Sequence, residues 1–366
     1  MEQSLFFIPD ISGYTNFIQN TEIEHSQHVI AELLEVLIDA NVENLKLAEV
    51  EGDALFFYKE NKVPSQERLL AQIERMFKAF YNHLKLLETN RICPCNACAT
   101  ASNLNLKIVA HCGELQFLEV QGNKKPFGKP VIESHRLLKN SIPSDNYILV
   151  SDALSQRIWL TENYKSKLYD FKMLSDNYDN ETIAYNYSVI DSKNLNLTKF
   201  GTPKKVTFNR PPNIVIEHDF EATKEKLFEY ISNYRYRNDW TEGVDDFKFK
   251  LNEVTRLDSV HTCVVNGKHL DFTAVTKDAN PGELVYGEVT KNAPPDELFQ
   301  FYVIESLPQG KSKVTVEVFW EVKSPIKKIL LDLFAVKAFK KGITTSLNNL
   351  SKFVKESSNS QEAVKP

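Results

Sequence analysis

The spacing of apolar residues changes several times along the first 150 positions, which predicts strands that alternate with helices. The run from Ser4 to Pro9 predicts a short buried strand that ends at Asp10. Two long stripes with helical spacing follow, one starting at Ile30 and one extending from Pro64 to about Leu87. Between the stripes, two strand-like runs flank Gly52-Asp53, and a glycine supplies the positive φ of a tight hairpin turn.

Further strands are predicted over 104–111 and 147–150, with 114–120 pairing against the first of them, and a shorter helix is predicted over 131–138. The resulting order, β-α-β-β-α-β with additions, is typical of a ferredoxin-like sheet covered by helices on one face.

The second half of the chain follows a different pattern after a polar stretch over residues 175–205. A strand and a helix lead into several antiparallel strands, of which the last, over 313–322, alternates cleanly. A long helix is predicted from Pro325 to about Lys355. We therefore predict an α+β protein with a first domain over 1–175, a linker over 176–204, a second domain over 205–356 and a frayed tail over 357–366.

Composition narrows the classes of function. The chain has 366 residues, of which 42% are hydrophobic and 25% charged, and its net charge of -5 argues against a nucleic-acid binder. No apolar run approaches the roughly 20 residues of a transmembrane helix, and the short apolar N-terminus does not resemble a signal peptide. Five cysteines, three of them crowded together, do not suggest a disulfide framework. These features predict a cytoplasmic protein.

Two aspartates occupy positions suited to metal binding. Asp10 closes the first predicted strand, and Asp53 occupies the hairpin turn expected beside it. Converging carboxylates are the hard ligands that Mg²⁺ and Mn²⁺ prefer. Residues 11–15 open a helix whose free amides suit a triphosphate, with Gly13 permitting close approach. Taken alone, either aspartate is also a common turn or cap residue.

Four motifs in this region resemble those of class III adenylyl and guanylyl cyclases. Residues 7–15 read FIPDISGYT and are similar to the first metal motif of that family, and residues 49–55, EVEGDAL, are similar to its Gly-Asp hairpin. Residues 108–114, IVAHCGE, and 127–137, FGKPVIESHRL, resemble a later strand and helix. The motifs occur in the family's order over about the first 150 residues.

The resemblance implies that Asp10 and Asp53 hold two divalent ions, Mg²⁺ or Mn²⁺, and that Arg136 stabilises charge developing on phosphorus. Glu49 falls where the family reads the base and favours guanine or no base reading, whereas Lys125, near the second such position, matches neither type. Ile132 replaces the family's ribose-positioning asparagine and cannot hydrogen-bond a sugar. The implied nucleotide contacts are Ile11, Ser12, Gly13, Tyr14, Thr15, Glu49, Gly52 and Lys125.

Class III sites form between two subunits, so the resemblance also implies a homodimer in which Arg136 of one copy faces Asp10 and Asp53 of its mate. A surface ion pair with Glu133 is the alternative for Arg136. Two functions stay open. One is a signalling enzyme, a phosphorus–oxygen lyase that cyclises a nucleoside triphosphate; the other is an inactive module that binds a metal–nucleotide complex and dimerises. A scaffold attached to a carrier domain is a third.

Three thiols lie within six residues, at Cys93, Cys95 and Cys98. Thiolates at this spacing can hold a structural Zn²⁺, with Cys112 or His111 completing a tetrahedron. There is no second Cys-x-x-Cys pair, and we favour the alternative, a loop of reduced and partly buried thiols.

The second domain resembles the START-like, helix-grip superfamily in its element order and in residues 214–231 and 238–243. In that superfamily a curved antiparallel sheet wraps a long final helix and encloses an apolar cavity, which implies a hydrophobic small-molecule ligand. Core packing is the alternative explanation for each candidate lining residue. The candidates are Trp240, Phe247, Phe272, Tyr286, Phe301 and Phe319.

Overall fold

The structure is a computed structural model, which describes residues 2–179, 181–203, 205–251, 253–291, 293, 295–331 and 335–362. The chain forms two compact units. The first comprises residues 1–88 and 100–200, and the second comprises residues 89–99 and 201–366. Within the described residues, no helix combines the length and the apolar character needed to cross a membrane.

The first part of the chain is a mixed α and β structure. Its elements are β1 (Ser4–Ser12), α1 (Tyr14–Gln19), α2 (Ile23–Asp39), β2 (Lys46–Glu51), β3 (Ala54–Lys59), α3 (Gln66–Thr89), α4 (Asn96–Thr100), β4 (Asn105–Gly113), β5 (Gln116–Val120), β6 (Asn123–Phe127), α5 (Lys129–Arg136), β7 (Tyr147–Ser151), α6 (Asp152–Ile158), β8 (Lys172–Tyr178) and β9 (Glu181–Val189).

Seven strands form the first sheet in the order β2-β3-β1-β4-β7-β9-β8. The pairs β2/β3, β3/β1 and β1/β4 are antiparallel, so β1 to β4 with their connecting helices have the ferredoxin-like arrangement that the sequence predicts. Strand β7 then adds parallel to β4. The sequence predicted that helices cover only one face of this sheet, and this prediction was wrong. Residues 4–9 of β1 are all buried although successive side chains point to opposite faces, so both faces are covered.

Strand β1 is longer than predicted, because it continues through Asp10 to Ser12. Its final residues pair with β4, where Asp10 lies opposite Lys107 and Ser12 opposite Asn105. On its other side Asp10 lies opposite Ala54 of β3. The aspartate is therefore an internal residue of a central strand and not the residue that closes it.

Two other expectations for this region were wrong. Strand β5 pairs with β6 and not with β4, because Gln121 and Gly122 both have positive φ and close a tight hairpin between them. The segment expected as a linker over 176–204 contains β9 and the end of β8, which pair with each other at the edge of the sheet. Most of the side chains of β8 are only partly covered or exposed, which explains why the segment reads as polar in sequence.

The second part of the chain is a long antiparallel sheet with helices. Its elements are β10 (Ile214–Phe220), α7 (Lys224–Ser232), α8 (Arg237–Trp240), β11 (Asp246–Lys248), β12 (Val260–Val265), β13 (Lys268–Val275), β14 (Leu284–Thr290), β15 (Glu297–Ser306), β16 (Ser312–Glu321), α9 (Pro325–Leu330) and α10 (Val336–Glu362).

The second sheet has seven strands in the order β10-β16-β15-β14-β13-β12-β11, and every pair is antiparallel. From β11 to β16 each strand pairs with the next in sequence, and β10 closes one edge beside β16. Helix α10 contacts both α8 and β10. The final helix extends to Glu362, so the tail predicted from residue 357 is helical as far as the structure describes it. Residues 332–334 and 363–366 lie outside the described part.

Candidate functional site

Asp10 lies in a largely enclosed position on the central strand β1. Its carboxylate is 14% exposed, and its Oδ1 lies 3.4 Å from Nζ of Lys107. Burial is the largest cause that raises the pKa of Asp10 to about 6, with Lys107 opposing the shift and the charges of Asp53 and Glu51 adding to it. The ammonium group of Lys107 therefore does not fully offset the free-energy cost of ionising the Asp10 carboxyl group.

Asp53 occupies the turn between β2 and β3, where Gly52 has a φ of +69°. The carbonyl oxygen of Asp53 accepts a hydrogen bond of 3.0 Å from the amide of Ile11, which ties the turn to β1 directly after Asp10. Burial raises the pKa of Asp53, whereas a hydrogen bond from its own backbone and the charge of Lys107 lower it. The two aspartates thus interact with each other and with the same lysine.

The residues after Asp10 differ in their exposure. Ile11 and Ser12 are buried, and the Ser12 hydroxyl has no hydrogen-bond partner among the described residues. Gly13 is exposed with a φ of +89° and precedes α1, which has only six residues. Tyr14 is half-buried and Thr15 is exposed. Of this predicted group, the side chain of Ile11 belongs to the hydrophobic core.

Glu49 and Lys125, the two residues at predicted base-reading positions, contact each other. Nζ of Lys125 donates hydrogen bonds of 3.0 and 2.9 Å to the two carboxylate oxygens of Glu49. Both side chains are well exposed. The sequence did not indicate this pair, which crosses from β2 to the β5–β6 hairpin.

Arg136 lies at the end of α5, and its Nη2 donates a hydrogen bond of 2.5 Å to Oδ2 of Asp179. The alternative partner expected from sequence, Glu133, instead lies 3.2 Å from Nε2 of His111 and 3.3 Å from Nζ of Lys129. The hydrogen bond to Asp179 therefore explains the position of the Arg136 side chain, without a nucleotide and without an ion pair to Glu133.

Arg136 and Asp10 border the same cavity, which has a volume of about 690 Å³. Ile132, which replaces the ribose-positioning asparagine in the resemblance, also borders it and is 54% exposed. Three further lining residues carry basic side chains that the sequence did not indicate as part of the site, Lys107, His135 and Lys139. His135 is held by Glu51, whose Oε1 lies 3.0 Å from its Nε2.

The three cysteines of the loop after α3 lie close together. The sulfur atoms of Cys93, Cys95 and Cys98 all lie within 4.8 Å of one another. Cys112 and His111 are not part of this group. His111 lies on β4, where its Nδ1 is 2.8 Å from the Ser151 hydroxyl.

Backbone amides point at two of the sulfur atoms in this loop. The amide of Cys95 lies 3.5 Å from Sγ of Cys93, and the amide of Cys98 lies 3.3 Å from Sγ of Cys95. Such donors stabilise negative charge on sulfur, which is the form in which cysteine binds metal.

The second unit contains a cavity of about 520 Å³. It lies between the sheet and α10, and Trp240, Phe247 and Phe272 are among its lining residues. The sequence also proposed Tyr286, Phe301 and Phe319, which do not line it. Other lining residues are Leu298, Gln300 and Tyr302 of β15 and Phe339, Ile343 and Leu347 of α10.

The alternation of side chains explains the two misplaced phenylalanines. Leu298, Gln300 and Tyr302 share one face of β15, so Phe301 points to the other face. There Phe301 and Phe319 belong to a separate cluster with Phe299, packed against Phe208. Tyr286 is fully buried and donates a hydrogen bond of 2.7 Å to Oε1 of Glu288.

A buried ion pair lies at the wall of this second cavity. Nη2 of Arg237 donates a hydrogen bond of 3.0 Å to Oε2 of Glu288, and both side chains are almost completely enclosed. Nε of Arg237 has no hydrogen-bond partner among the described residues. Burial alone would raise the pKa of Glu288, but Arg237, His261 and the hydrogen bond from Tyr286 together hold it below its ordinary value.

A family model described as a protein of unknown function (DUF2652) matches residues 30–147. An uncharacterized protein of Mycobacterium tuberculosis, Rv2561/Rv2562, is 35% identical over 130 residues, which is 35% of this chain. The matched segment spans 59% of the length of that curated relative.

Several solved structures are similar over about half of the chain. The catalytic core of a rhodopsin-guanylyl cyclase with converted specificity, in complex with ATPalphaS, is 18% identical with a TM-score of 0.35, covering 52% of this chain and 96% of its own. The guanylate cyclase domain of RhGC from Catenaria anguillulae, in complex with GTP, is also 18% identical, with a TM-score of 0.36 and coverages of 52% and 97%. The adenylyl cyclase CyaB from P. aeruginosa is 14% identical, with a TM-score of 0.37 and coverages of 52% and 94%.

Proposed function

We propose that the first unit binds a nucleoside triphosphate complexed to Mg²⁺ or Mn²⁺ and converts it into a cyclic nucleotide. The observation that carries this proposal is the pair of partly buried aspartates, Asp10 and Asp53, whose charges interact. Burial raises the pKa of both carboxyl groups, so each is costly to ionise in the protein alone. A divalent ion is the partner that offsets this cost, and carboxylate oxygens are its preferred ligands.

In the proposed reaction the ribose 3′ oxygen attacks the α-phosphorus and loses its proton. The bond from the α-phosphorus to the bridging oxygen breaks, and pyrophosphate leaves with that electron pair. Divalent ions held by Asp10 and Asp53 would polarise the phosphate oxygens and lower the pKa of the attacking hydroxyl. The guanidinium of Arg136 is suited to bind oxygens on which negative charge develops.

The alternative function is metal-dependent nucleotide binding without turnover, and one observation favours it. Ile132 presents an exposed apolar side chain at the cavity where a hydrogen-bonding residue would orient the ribose. Positioning of the attacking oxygen contributes a large part of the rate in such reactions. Loss of that contact is expected to reduce turnover more than binding.

An assay with each common nucleoside triphosphate and Mn²⁺, with products identified by mass spectrometry, tests both functions. We expect a cyclic product that falls by about 100-fold or more in Asp10→Ala and in Asp53→Ala, because loss of a direct ligand exceeds the effect of losing a supporting contact. The exposed Asp145→Asn is the matched control and should retain wild-type rates.

Binding without product, lost in the same two variants, would establish the alternative. Absence of both product and metal-dependent binding would leave the first unit as a scaffold.

We also propose that Cys93, Cys95 and Cys98 bind a structural Zn²⁺. Three cysteine thiolates fill three positions of a tetrahedral zinc site, and the sulfur-directed amides support the thiolate form. Purified protein is expected to contain about one zinc per chain, and chelation should lower its melting temperature.

The variants Cys95→Ser and Cys98→Ser should lose this zinc, whereas Cys112→Ser, a buried cysteine outside the cluster, should keep it. Elemental analysis of protein purified without chelators makes the measurement. Zinc-free wild-type protein with full stability would contradict the assignment.

For the second unit we propose binding of an apolar small molecule, as the START-like resemblance implies. A cavity of about 520 Å³ beneath α10, walled by aromatic residues, supports this function. A fluorescent apolar dye should bind to it, and Gly342→Leu should weaken binding about fivefold or more by filling space at a lining position. Lys340→Leu adds the same side chain at an exposed position of α10 and should not weaken binding. Equal effects of the two variants would argue against this cavity.

A further inference from the structure

We propose that the cavity of the second unit binds a neutral apolar molecule with one oxygen atom that accepts a hydrogen bond, and that Tyr302 and Gln300 donate to this oxygen. A ketone and an alcohol both present such an oxygen. This inference rests on the proposed binding of an apolar small molecule and adds the chemical class of that molecule. It does not depend on any activity of the first unit.

Tyr302 and Gln300 lie on the face of β15 that borders the cavity. Tyr302 is 3% exposed, and Gln300 is half-buried. Gln300 lies opposite Glu288 of the neighbouring strand β14, so both side chains are on the same face of the sheet. Apolar side chains make up most of the remaining wall, among them Trp240 and Phe272. The polar atoms of the pair therefore stand at one place in a largely apolar cavity.

The side chains of Tyr302 and Gln300 have more donor hydrogens than their mutual contact uses. Nε2 of Gln300 donates a hydrogen bond to the hydroxyl oxygen of Tyr302. A phenol and a primary amide together carry three donor hydrogens, and this bond uses one of them. Turning the amide over changes which group donates, but not the number of hydrogens left over. Since the described part of the chain provides no acceptor for these hydrogens, they are available to a molecule in the cavity.

The Tyr302 hydroxyl stays protonated, and therefore a donor, at neutral pH. Burial raises the pKa of Tyr302 above its ordinary value of 10.0, and the charge of Arg237 only partly opposes this shift. A buried donor without an acceptor is unfavourable, because the hydrogen bonds that it made to water are not replaced. A purely apolar ligand would leave the donors in that state, whereas an oxygen acceptor satisfies one of them. The pair therefore favours a ligand that carries an oxygen acceptor.

The enclosed charges at the cavity cancel, which favours a ligand without net charge. Arg237 and Glu288 are paired at 3.0 Å, and both line the cavity. A second nitrogen of Arg237, Nη1, donates to the carbonyl oxygen of Ile231. Glu242, the remaining charged residue of the described lining, is exposed to solvent. A carboxylate or an ammonium group on the ligand would lose its hydration without gaining an unpaired counter-ion.

Binding of two matched naphthalene compounds to the full chain tests the inference. Methyl naphthyl ketone and ethylnaphthalene are similar in size and differ in one group, which is a carbonyl in the first and a methylene in the second. Their affinities are measured by displacement of a fluorescent apolar dye from the wild type and from Tyr302→Phe. We expect Tyr302→Phe to weaken binding of the ketone about fivefold, through loss of one hydrogen bond, and to leave binding of ethylnaphthalene unchanged.

The double variant Tyr302→Phe/Gln300→Met removes all three donor hydrogens, so that the amide cannot replace the phenol. Its affinity for the ketone should fall about tenfold or more. Tyr286→Phe is the matched control, because it removes the hydroxyl of a fully buried tyrosine that lies outside the described lining of the cavity. This control should keep the wild-type ratio of the two affinities.

Naphthalene compounds with a charged group give a measurement that needs no variant. At about pH 7 the wild type should bind naphthoate and aminomethylnaphthalene about tenfold more weakly than the ketone, or weaker still, because each carries a charge. Naphthol is neutral, and its oxygen accepts a hydrogen bond. It should therefore lose affinity in Tyr302→Phe as the ketone does.

Each outcome has a distinct meaning. A loss in Tyr302→Phe that is equal for the ketone and for ethylnaphthalene would show that the hydroxyl only supports the fold. That result would overturn the inference and leave the proposed apolar-ligand function in place, as would charged compounds that bind as tightly as the ketone. If neither the dye nor any of these compounds binds to the wild type, the inference and the proposed function of the second unit are both wrong.

Discussion

Replacing Asp10 with asparagine is expected to stabilise the first unit at pH 8 while abolishing its response to Mg²⁺ or Mn²⁺. The pKa of Asp10 is raised to about 6 in the folded protein from an ordinary value of 3.8. The folded state therefore binds this proton more tightly than the unfolded state, and stability falls as the pH rises between these two values. Asparagine carries no such charge, so the gain should be about 3 kcal/mol at pH 8 and should vanish below about pH 4.

Denaturant unfolding at several pH values, with and without Mn²⁺, measures this effect. Metal should stabilise the wild type at pH 8 and progressively less below about pH 6, as protons compete for the carboxyl group. Metal should leave Asp10→Asn unchanged. Asp145→Asn removes an exposed charge of the same kind and should show neither effect. A loss of stability in Asp10→Asn at pH 8 would mean that its pairing with Lys107 outweighs the cost of burial.

The sequence predicts the hairpin at Gly52 and Asp53 well because the signal is local. A glycine with positive φ between two strand-like runs specifies the turn without help from the rest of the chain. The length of β1 is not local. The strand continues past Asp10 because β4 supplies partners as far as Asn105, and no feature near Asp10 shows this.

Lys107 was missed for a related reason. Its role depends on the register of β1 against β4, which places it opposite Asp10, and register cannot be read from either strand alone. In contrast, the apolar stripes of α2 and α3 predict helices because their spacing is a property of each segment.

The aromatic residues that line the cavity of the second unit could be predicted from the sequence only in part. Because side chains alternate along β15, the sequence places Phe301 and Tyr302 on opposite faces of the strand. The sequence does not show which of these faces borders a cavity. That choice depends on where α10 lies, and α10 lines the cavity beside the face that carries Tyr302. Trp240 and Phe272 were placed at the cavity by element order, whereas Phe319 was assigned to the wrong face.

Breaking the buried pair between Arg237 and Glu288 is expected to destabilise the second unit by about 3–5 kcal/mol, because the remaining charge stays buried without a partner. The single variants that test this are Glu288→Gln and Arg237→Met. Each removes one charge of the pair and leaves the other charge buried. The double variant Arg237→Met/Glu288→Gln removes both charges and should be more stable than either single variant, although each single change is destabilising.

Tryptophan fluorescence during denaturant unfolding reports this change within the full chain. Trp240 is 1% exposed, and the Arg237 guanidinium lies 4.8 Å from the centre of its ring, so its emission follows the opening of this cluster. Trp159 of the first unit is 87% exposed and contributes a nearly constant background. Additive losses in the double variant would show that the two charges do not stabilise one another. The pair would then be retained for its place at the wall of the cavity, which both residues line.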